Sequence, residues 1–178
     1  MNKTLIMLAL FLSFSVMLMG CGNKQMSSSQ AKEFITEYQK TKYEMEQVDI
    51  KTPNDKDEYM KEMIEKAKPY LTESEFNSFF NERRALHAVL AAESQSQIKV
   101  KDIVIDKIEV DKDNTEKVTV NYKITLQLVS YDGNVQNEKT HDGIMTIIKV
   151  EDAAKISSDK EEIKDSFLFD LIKTTKHK

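Results

Sequence analysis

The chain has 178 residues, with 26 Lys and Arg against 30 Asp and Glu, which gives a formal net charge of −4. A single Cys excludes an internal disulfide framework and a zinc cluster built from cysteines. The acidic balance argues against a nucleic-acid-binding protein, which needs a basic surface. With only four Gly and two Pro, the chain is neither collagen-like nor a Pro-rich linker.

The N-terminal segment has the organisation of an export signal. Lys3 precedes an apolar run from Leu5 to Met19 that only two serines interrupt. This run is shorter than the roughly 20 residues of a membrane-spanning helix and fits the central region of a signal peptide. The sequence Leu18-Met19-Gly20-Cys21 ends the run and resembles the lipobox of bacterial lipoproteins, although Met19 is larger than the residue usual at that position.

The resemblance implies that residues 1–20 are a lipoprotein signal peptide and that Cys21 is the lipid-attachment residue. Residues 21–30 are then the lipidated Cys and a flexible tether, and residues 31–178 form a single domain. In that family the thiol receives a diacylglyceryl group and the new amine is usually acylated, so several acyl chains hold the protein at the outer face of the cytoplasmic membrane. An uncleaved anchor helix is the alternative, and it leaves the domain on the same side. The Lys-rich, Arg-poor composition favours an AT-rich Gram-positive host.

The first half of the domain has the periodicity of three helices. The first apolar stripe consists of Ala31, Phe34, Ile35, Tyr38, Met45 and Val48, with Ser29 as the predicted N-cap. The second consists of Tyr59, Met60, Met63, Ile64 and Ala67, and it ends near Pro69. Thr72 and Glu75 have the spacing of a capping box and start a third helix, which we predict to run to about Ser94.

The second half changes to the period of two that is typical of strands. Alternation is clearest over residues 118–128, with apolar residues at the even positions. We predict strands before it (98–110, with a register change at Asp102) and after it (140–150), and a short fourth strand over residues 155–158. Ile163, Phe167, Leu168, Leu171 and Ile172 predict a C-terminal helix.

The predicted fold class is therefore α+β: a layer of about three helices packed on a curled antiparallel sheet of three to four strands, with a C-terminal helix. From about Ala31 to Ser158 the element order resembles the exported branch of the nuclear transport factor 2-like superfamily. The segment Thr72–Phe76, the long hairpins and the short Lys-Ile-Ser strand carry the resemblance. Two features depart from the family: Ala153 and Ala154 stand where a bulky aromatic is usual, and the C-terminal helix is additional.

No phosphate loop, dinucleotide fingerprint, zinc-protease motif or nucleophile elbow occurs in the sequence. Asp111, Asp113 and Thr115 begin like a calcium loop. The sixth and twelfth positions of such a loop would be Glu116 and Tyr122, whereas calcium needs a sharp turn and a bidentate Glu there. We interpret the segment as a charged hairpin turn, and we predict no metal or cofactor.

The histidines are candidate acid–base groups. His87 lies on the predicted third helix. It is either a general base or a residue at the edge of the core, with one ring nitrogen hydrogen-bonded and the other exposed. His141 and Asp142 are adjacent on a strand, so they point to opposite faces and do not form a productive pair. We place His177 in a solvated tail.

Enzymes of the resembled superfamily use an Asp, Tyr or His inside the cone, and Tyr38, Tyr43, Tyr122 and Asp142 are of those types. The structural interpretation makes Tyr38 and Tyr122 core aromatics with a wet hydroxyl. Arg83 and Arg84 are the only arginines in the sequence. They are either a partner contact, because arginine makes bidentate contacts, or an intrahelical pair with acids such as Glu82.

We expect a cell-envelope lipoprotein attached to the membrane through Cys21, with a non-enzymatic domain that binds another envelope protein. A small-ligand-binding lipoprotein with an apolar pocket in the cone is the first alternative. An isomerase- or dehydratase-like enzyme is the second. A partner-binding module predicts an exposed apolar or aromatic patch without a deep cavity. An enzyme predicts a buried acid or His with a perturbed pKa in the cavity.

Overall fold

The computed structural model describes residues 26–162 and 167–168. Within them, four α-helices precede a four-stranded antiparallel sheet, so the predicted α+β class is confirmed. The helices are α1 (Ser28–Tyr43), α2 (Pro53–Ala67), α3 (Glu73–Asn81) and α4 (Leu86–Glu93), with a 3-10 turn at Lys68–Tyr70. The strands are β1 (Ser96–Val110), β2 (Lys117–Ser130), β3 (Val135–Val150) and β4 (Ala153–Glu161).

Several predicted segments lie outside these residues. They include the apolar run, the tether up to residue 25 with Cys21, and His177. Phe167 and Leu168 of the predicted C-terminal helix are helical and almost fully buried, and the rest of that helix also lies outside. No helix in the described part of the chain combines the length and the apolar character needed to cross a membrane.

The sheet is a simple meander with the strand order β1-β2-β3-β4. The predicted alternation of β2 is confirmed, because its even-numbered residues from Val118 to Leu126 are all at most 5% exposed. They form one core with the apolar faces of the helices. The opposite face of the sheet is polar and open to solvent, so the helical layer covers one side of the sheet only.

Bulges change which side chains of β1 and β4 point inward. In β1 the pairing register shifts between Val100 and Asp102, and the buried positions pass from Ile98 and Val100 to Ile103. This is the register change predicted at Asp102. In β4 the shift follows Ile156, so the inward positions become Asp159 and Glu161. A bulge inserts one residue and thereby inverts the alternation beyond it.

The first helix is shorter at its C-terminal end and longer at its N-terminal end than predicted. Its N-cap is Ser27 rather than Ser29: the Ser27 hydroxyl accepts from the Gln30 amide, and the Gln30 side chain accepts from the Ser27 amide. Residues 28–30 of the predicted tether therefore form the first turn of α1. The helix ends at Tyr43, so the apolar stripe does not extend through Val48.

The predicted single helix from Thr72 to Ser94 is wrong, because the chain breaks between α3 and α4. Arg83 has a φ of 52°, in the left-handed region that favours glycine. No Gly or Pro marks this turn in the sequence. The turn directs Arg84 inward, where contacts with acidic residues compensate for the strained backbone.

Candidate functional site

A group of charged side chains lies buried between α1 and β4. The Lys42 Nζ atom is 2.8 Å from Asp159 Oδ2 and 2.8 Å from Glu161 Oε1. The side chains of the three residues are at most 7% exposed. One cation therefore bridges two carboxylates on the same strand, away from bulk water.

Three tyrosine hydroxyls complete the hydrogen bonds of these carboxylates. Tyr38 donates to Asp159 (3.0 Å), Tyr43 to Glu161 (2.5 Å) and Tyr122 to both acids (3.1 and 3.2 Å). Burial raises the pKa of each hydroxyl well above its usual value, and the carboxylates raise it further. The hydroxyls therefore stay protonated donors, and those of Tyr38 and Tyr122 are not wet as the sequence predicted.

Gln39 is the seventh member of what we call the Lys42 network. Its Nε2 atom donates to Tyr122 Oη and to Glu161 Oε1, each at 2.7 Å. The network thus consists of Lys42, Asp159, Glu161, Tyr38, Tyr43, Tyr122 and Gln39. It joins α1, β2 and β4 through their side chains.

Local sequence explains why these residues meet. Tyr38 and Lys42 are four residues apart and share one face of α1, as do Gln39 and Tyr43. On β4, the residues two apart after the bulge point to the same side. Tyr122 lies on the inner face of β2, and its ring covers Gly143 on the neighbouring strand, where a Cβ would overlap the ring.

Mutual attraction keeps Lys42 and Glu161 ionised in the buried network. Burial by itself lowers the pKa of Lys42, but the facing Asp159 and Glu161 outweigh burial and raise it. Burial likewise raises the pKa of Glu161, and the charge and hydrogen bond of Lys42 outweigh it, so that this pKa is lowered. Both partners are therefore charged at neutral pH, each dependent on the other.

A second ion pair is joined to the network through the backbone of β4. Glu75 Oε1 accepts from Arg84 Nη1 (2.5 Å) and from the Asp159 amide (3.0 Å). The predicted capping box is therefore only half formed: the Thr72 hydroxyl accepts from the Glu75 amide. Thr72 donates its own amide to the Ile156 carbonyl instead.

The two arginines have different environments. Arg84 also donates from Nε to Glu82 at 2.8 Å, so the predicted partner is found, but the pair lies in the turn between α3 and α4 and is not intrahelical as predicted. The hydrogen bonds of Glu82 and Glu75 outweigh burial and raise the pKa of Arg84. Arg83 is exposed at the turn and has no ion pair among residues 26–162. Phe80, near the C-terminal end of α3, is 57% exposed.

A cleft of about 490 Å³ adjoins the network. It is lined by Lys42 and Tyr43 of α1, Glu75 and Ser78 of α3, Glu82, Arg84, His87, and residues 158–161 of β4. The lining is predominantly polar and charged, so this cleft is not the apolar pocket that the ligand-binding hypothesis predicted.

His87 is the unusual member of this lining. It is 8% exposed, and neither ring nitrogen completes a hydrogen bond with a described residue. Burial, with a smaller effect from Lys42, lowers its pKa to about 4, and a contact with the Arg84 backbone opposes that shift without forming a full hydrogen bond. The ring is neutral at pH 7, and the predicted boundary position with one bonded nitrogen is wrong.

The other residues that the sequence singled out, His141, Asp142 and the hairpin at Asp111, lie outside the Lys42 network and the lining of the cleft. His141 faces inward at 7% exposure, while Asp142 lies on the open face and pairs with Lys123 at 2.7 Å. Their placement on opposite faces is confirmed, and Asp142 does not converge with the tyrosines. Asp111 Oδ1 accepts from the amides of Asp113 and Asn114, which confirms the hairpin turn. No group of three potential metal ligands occurs within the described ranges.

The described surface has no continuous apolar patch. The exposed large hydrophobic side chains are Phe80, Val104, Val135, Ile144 and Val150. They lie on different elements or at separate positions along β3. On the open face of the sheet, Lys101 pairs with Glu138, and the hydroxyls of Thr125 and Thr140 lie 2.9 Å apart. The apolar patch expected of a partner-binding module is thus missing from this part of the chain.

Sequence reasoning missed Gln39, Lys42, Asp159 and Glu161. A signal was present for the first two, because they continue the apolar stripe of α1 at its helical spacing. A polar residue at an inward position indicates a buried partner. No comparable signal marks the two acids, since the bulge in β4 reverses the alternation there.

Comparisons with known proteins show the fold alone. A periplasmic fragment of TraM is 14% identical with a TM-score of 0.50, over 76% of this chain and 97% of that one. The Ntf2-like TraM of the Gram-positive conjugative plasmid pIP501 is 12% identical with a TM-score of 0.49, over 76% of this chain and 95% of that one. Aln2 from a Streptomyces species is 14% identical with a TM-score of 0.49, over 83% of this chain and 99% of that one. The architecture is consistent with a nuclear transport factor 2-like fold. No family model and no curated protein matches the sequence.

Proposed function

We propose that the chain is a lipoprotein of the cell envelope, anchored through Cys21, whose domain is a non-enzymatic binding module for another envelope protein. The observation that carries the non-enzymatic part is the closed Lys42 network. A general acid or base must exchange a proton with its substrate. Asp159 and Glu161 instead have their oxygens occupied by Lys42 and the tyrosines, at nearly full burial.

The turn between α3 and α4 is the surface that we propose for the partner. Phe80 presents more than half of its side chain, and Arg83 is held outward by a left-handed backbone. Aromatic and arginine side chains are enriched among the residues that dominate binding energy at protein interfaces. Arg83 has no ion pair in the described chain, so a partner carboxylate can bind it without displacing another acid.

The proposed lipid anchor is tested by substituting Cys21, the only cysteine of the chain. Full-length protein with Cys21→Ala should accumulate as an unprocessed precursor or leave the membrane fraction, because no acyl chain can be attached. Metabolic labelling with a palmitate analogue should mark the unsubstituted protein and not the variant. A processed, membrane-bound Cys21→Ala protein would exclude the lipoprotein.

The contact surface is tested by photo-crosslinking in cells. A benzophenone amino acid at position 80 of the full-length protein should yield one reproducible adduct, identified by mass spectrometry. The same group at Ile144, which is 48% exposed on the open face of β3, is the matched control and should yield none. Arg83→Glu should abolish the adduct at position 80. Equal adducts at both positions would refute this surface.

A small-ligand-binding protein is the second candidate, and the cleft beside β4 favours it. Its volume falls within the about 300–1,000 Å³ usual for small-molecule sites. The enzyme hypothesis has less support. His87 has the lowered pKa that this hypothesis expects, but a pKa of about 4 makes it a weak base, and no acidic side chain hydrogen-bonds its ring.

A further inference from the structure

The folded domain begins closer to Cys21 than the sequence predicted. The Ser27 side chain caps α1, the Ala31 amide donates to the Ser27 carbonyl at 2.9 Å, and Met26 packs against the hydrophobic core. Only the four residues 22–25 therefore separate Cys21 from the first residue that contacts the domain. The predicted tether extended to residue 30.

Chain geometry sets an upper limit on the reach of this shorter tether. A chain spans no more than about 3.6 Å per residue, so the Cα atoms of Cys21 and Met26 are at most about 18 Å apart, whatever the conformation between them. Acyl chains on Cys21 hold that residue at the membrane surface. The start of the domain then also lies within about 18 Å of the membrane.

The proposed contact surface lies towards the other end of α1, and the helix limits its distance from the membrane. A helix rises about 1.5 Å per residue, so Ser28 and Lys42 are about 21 Å apart. Lys42 lines the cleft together with Glu82 and Arg84, the two neighbours of Arg83. Even with an extended tether and an upright helix, Lys42 is no more than about 45 Å from the membrane.

We propose that the partner is itself a protein of the same membrane, held there by a membrane-spanning segment or by a lipid. The tether reaches only about half the diameter of a domain of this size, so it cannot carry the domain to a partner farther out in the envelope. For a partner in the same bilayer, the short tether instead raises the effective concentration at which the two surfaces meet. This inference rests on the proposed lipid anchor and binding function, and it does not depend on which face of the domain makes the contact.

The experiment lengthens the tether of the full-length protein in cells. A benzophenone amino acid replaces Phe80, Ile144 or Val150, which are 57%, 48% and 40% exposed. Gly/Ser spacers of about 15, 30 and 60 residues, which behave as flexible coils, are inserted between Asn23 and Lys24. The yield of the adduct expected at position 80 should fall as the spacer lengthens, at least about twofold with the longest one, because the domain then explores a deeper layer above the membrane.

Two controls accompany the series. The longest spacer placed after Lys178 leaves the tether unchanged, and this protein should keep the adduct yield of the unmodified chain. Labelling with a palmitate analogue checks that every variant carries the lipid, so a lower yield cannot come from a lost anchor.

Mass spectrometry of the crosslinked peptide gives a second readout. We expect the partner to have a membrane-spanning segment or a lipid anchor of its own, with the crosslink in its extracytoplasmic part. A crosslinked protein without any membrane anchor would overturn the proposal.

Three further outcomes would also overturn it: a yield that stays constant or rises with spacer length, no adduct at any of the three positions, or no palmitate label on the unmodified protein. The contact surface is judged separately, by position. An adduct with a membrane protein at Ile144 or Val150 but not at Phe80 would refute the surface at the α3–α4 turn and still support a membrane partner.

Discussion

Lys42 and Glu161 form a buried ion pair across 119 residues of sequence, with 2.8 Å between Nζ and Oε1. The pair joins the last turn of the first helix to the end of the last strand. Asp159 shares the same ammonium group, so the lysine neutralises two acids. Removing this cation would leave two buried carboxylates unpaired, whereas breaking an exposed ion pair leaves both partners in water.

Substituting Lys42 by Met should destabilise the domain by about 3–5 kcal/mol, because two buried carboxylates lose their cation. The matched control is Lys32→Met, which removes a pair with Asp102 whose side chains are about half exposed, and which should cost less than about 1 kcal/mol. Urea unfolding of both variants measures the difference. Equal midpoints would show that the buried pair contributes no more than the exposed one.

The pH dependence of stability should report His87. Its pKa falls from the ordinary 6.5 to about 4 on folding. Between these values the unfolded chain binds a proton that the folded chain excludes, so stability falls as the pH drops from 6.5 to 4 and is unaffected by this group above that range. The shift corresponds to a loss of about 3 kcal/mol.

His87→Leu removes this titration. The variant should lose less stability than the wild type between pH 6.5 and 4, and the difference between the two unfolding curves isolates the histidine, because the carboxylates are common to both proteins. Thermal unfolding across that range is the measurement. Parallel curves for the two proteins would show that His87 does not titrate in this way.

Glu75 and Arg84 should be strongly coupled. Their charged hydrogen bond is mostly buried, and Glu75 also holds the Asp159 amide. A double-mutant cycle with Glu75→Gln and Arg84→Met should give a coupling energy above about 1 kcal/mol. The same cycle on Lys107 and Glu109, an exposed pair on β1, should give about 0–0.5 kcal/mol. Similar values for the two pairs would contradict the inward role of Arg84.

Gly143→Ala should destabilise the domain by about 3 kcal/mol, because the new methyl group overlaps the Tyr122 ring. Gly133→Ala is the comparison: it has a φ of 94° but no neighbour within 4 Å, so only backbone strain of about 1 kcal/mol is expected. Combining Tyr122→Leu with Gly143→Ala should relieve the overlap, so the double variant should lose less unfolding free energy than the sum of the two single variants. Urea unfolding measures the three values. Losses that add up would exclude the clash.

The sequence predicted most of the fold because its signals are local. Apolar periodicity identified α2 and β2, and the predicted capping position Thr72 marks a true helix start. The break at Arg83 was not predictable, since the contacts that compensate for its left-handed backbone are those of the next residue, Arg84, with Glu75 and Glu82, and they form only after folding.

The site was harder to predict than the fold. Tyr38, Tyr43 and Tyr122 were recognised as candidates, but their convergence depends on Asp159 and Glu161, whose orientation the bulge after Ile156 reverses. The predicted strand stopped at Ser158, one residue short of the first acid. Long-range pairing of this kind leaves no periodic trace in a single sequence.

The late position of β4 has a consequence for how the chain acquires its structure. The sheet grows by neighbouring hairpins, whose closure is fast, whereas the partners of Lys42 are the last residues of the final strand to be synthesised. Until Asp159 and Glu161 have been synthesised, the Lys42 ammonium and the three phenols lack the acceptors that they have in the folded domain. The Lys42 network can therefore form only after the whole of β4 has been made.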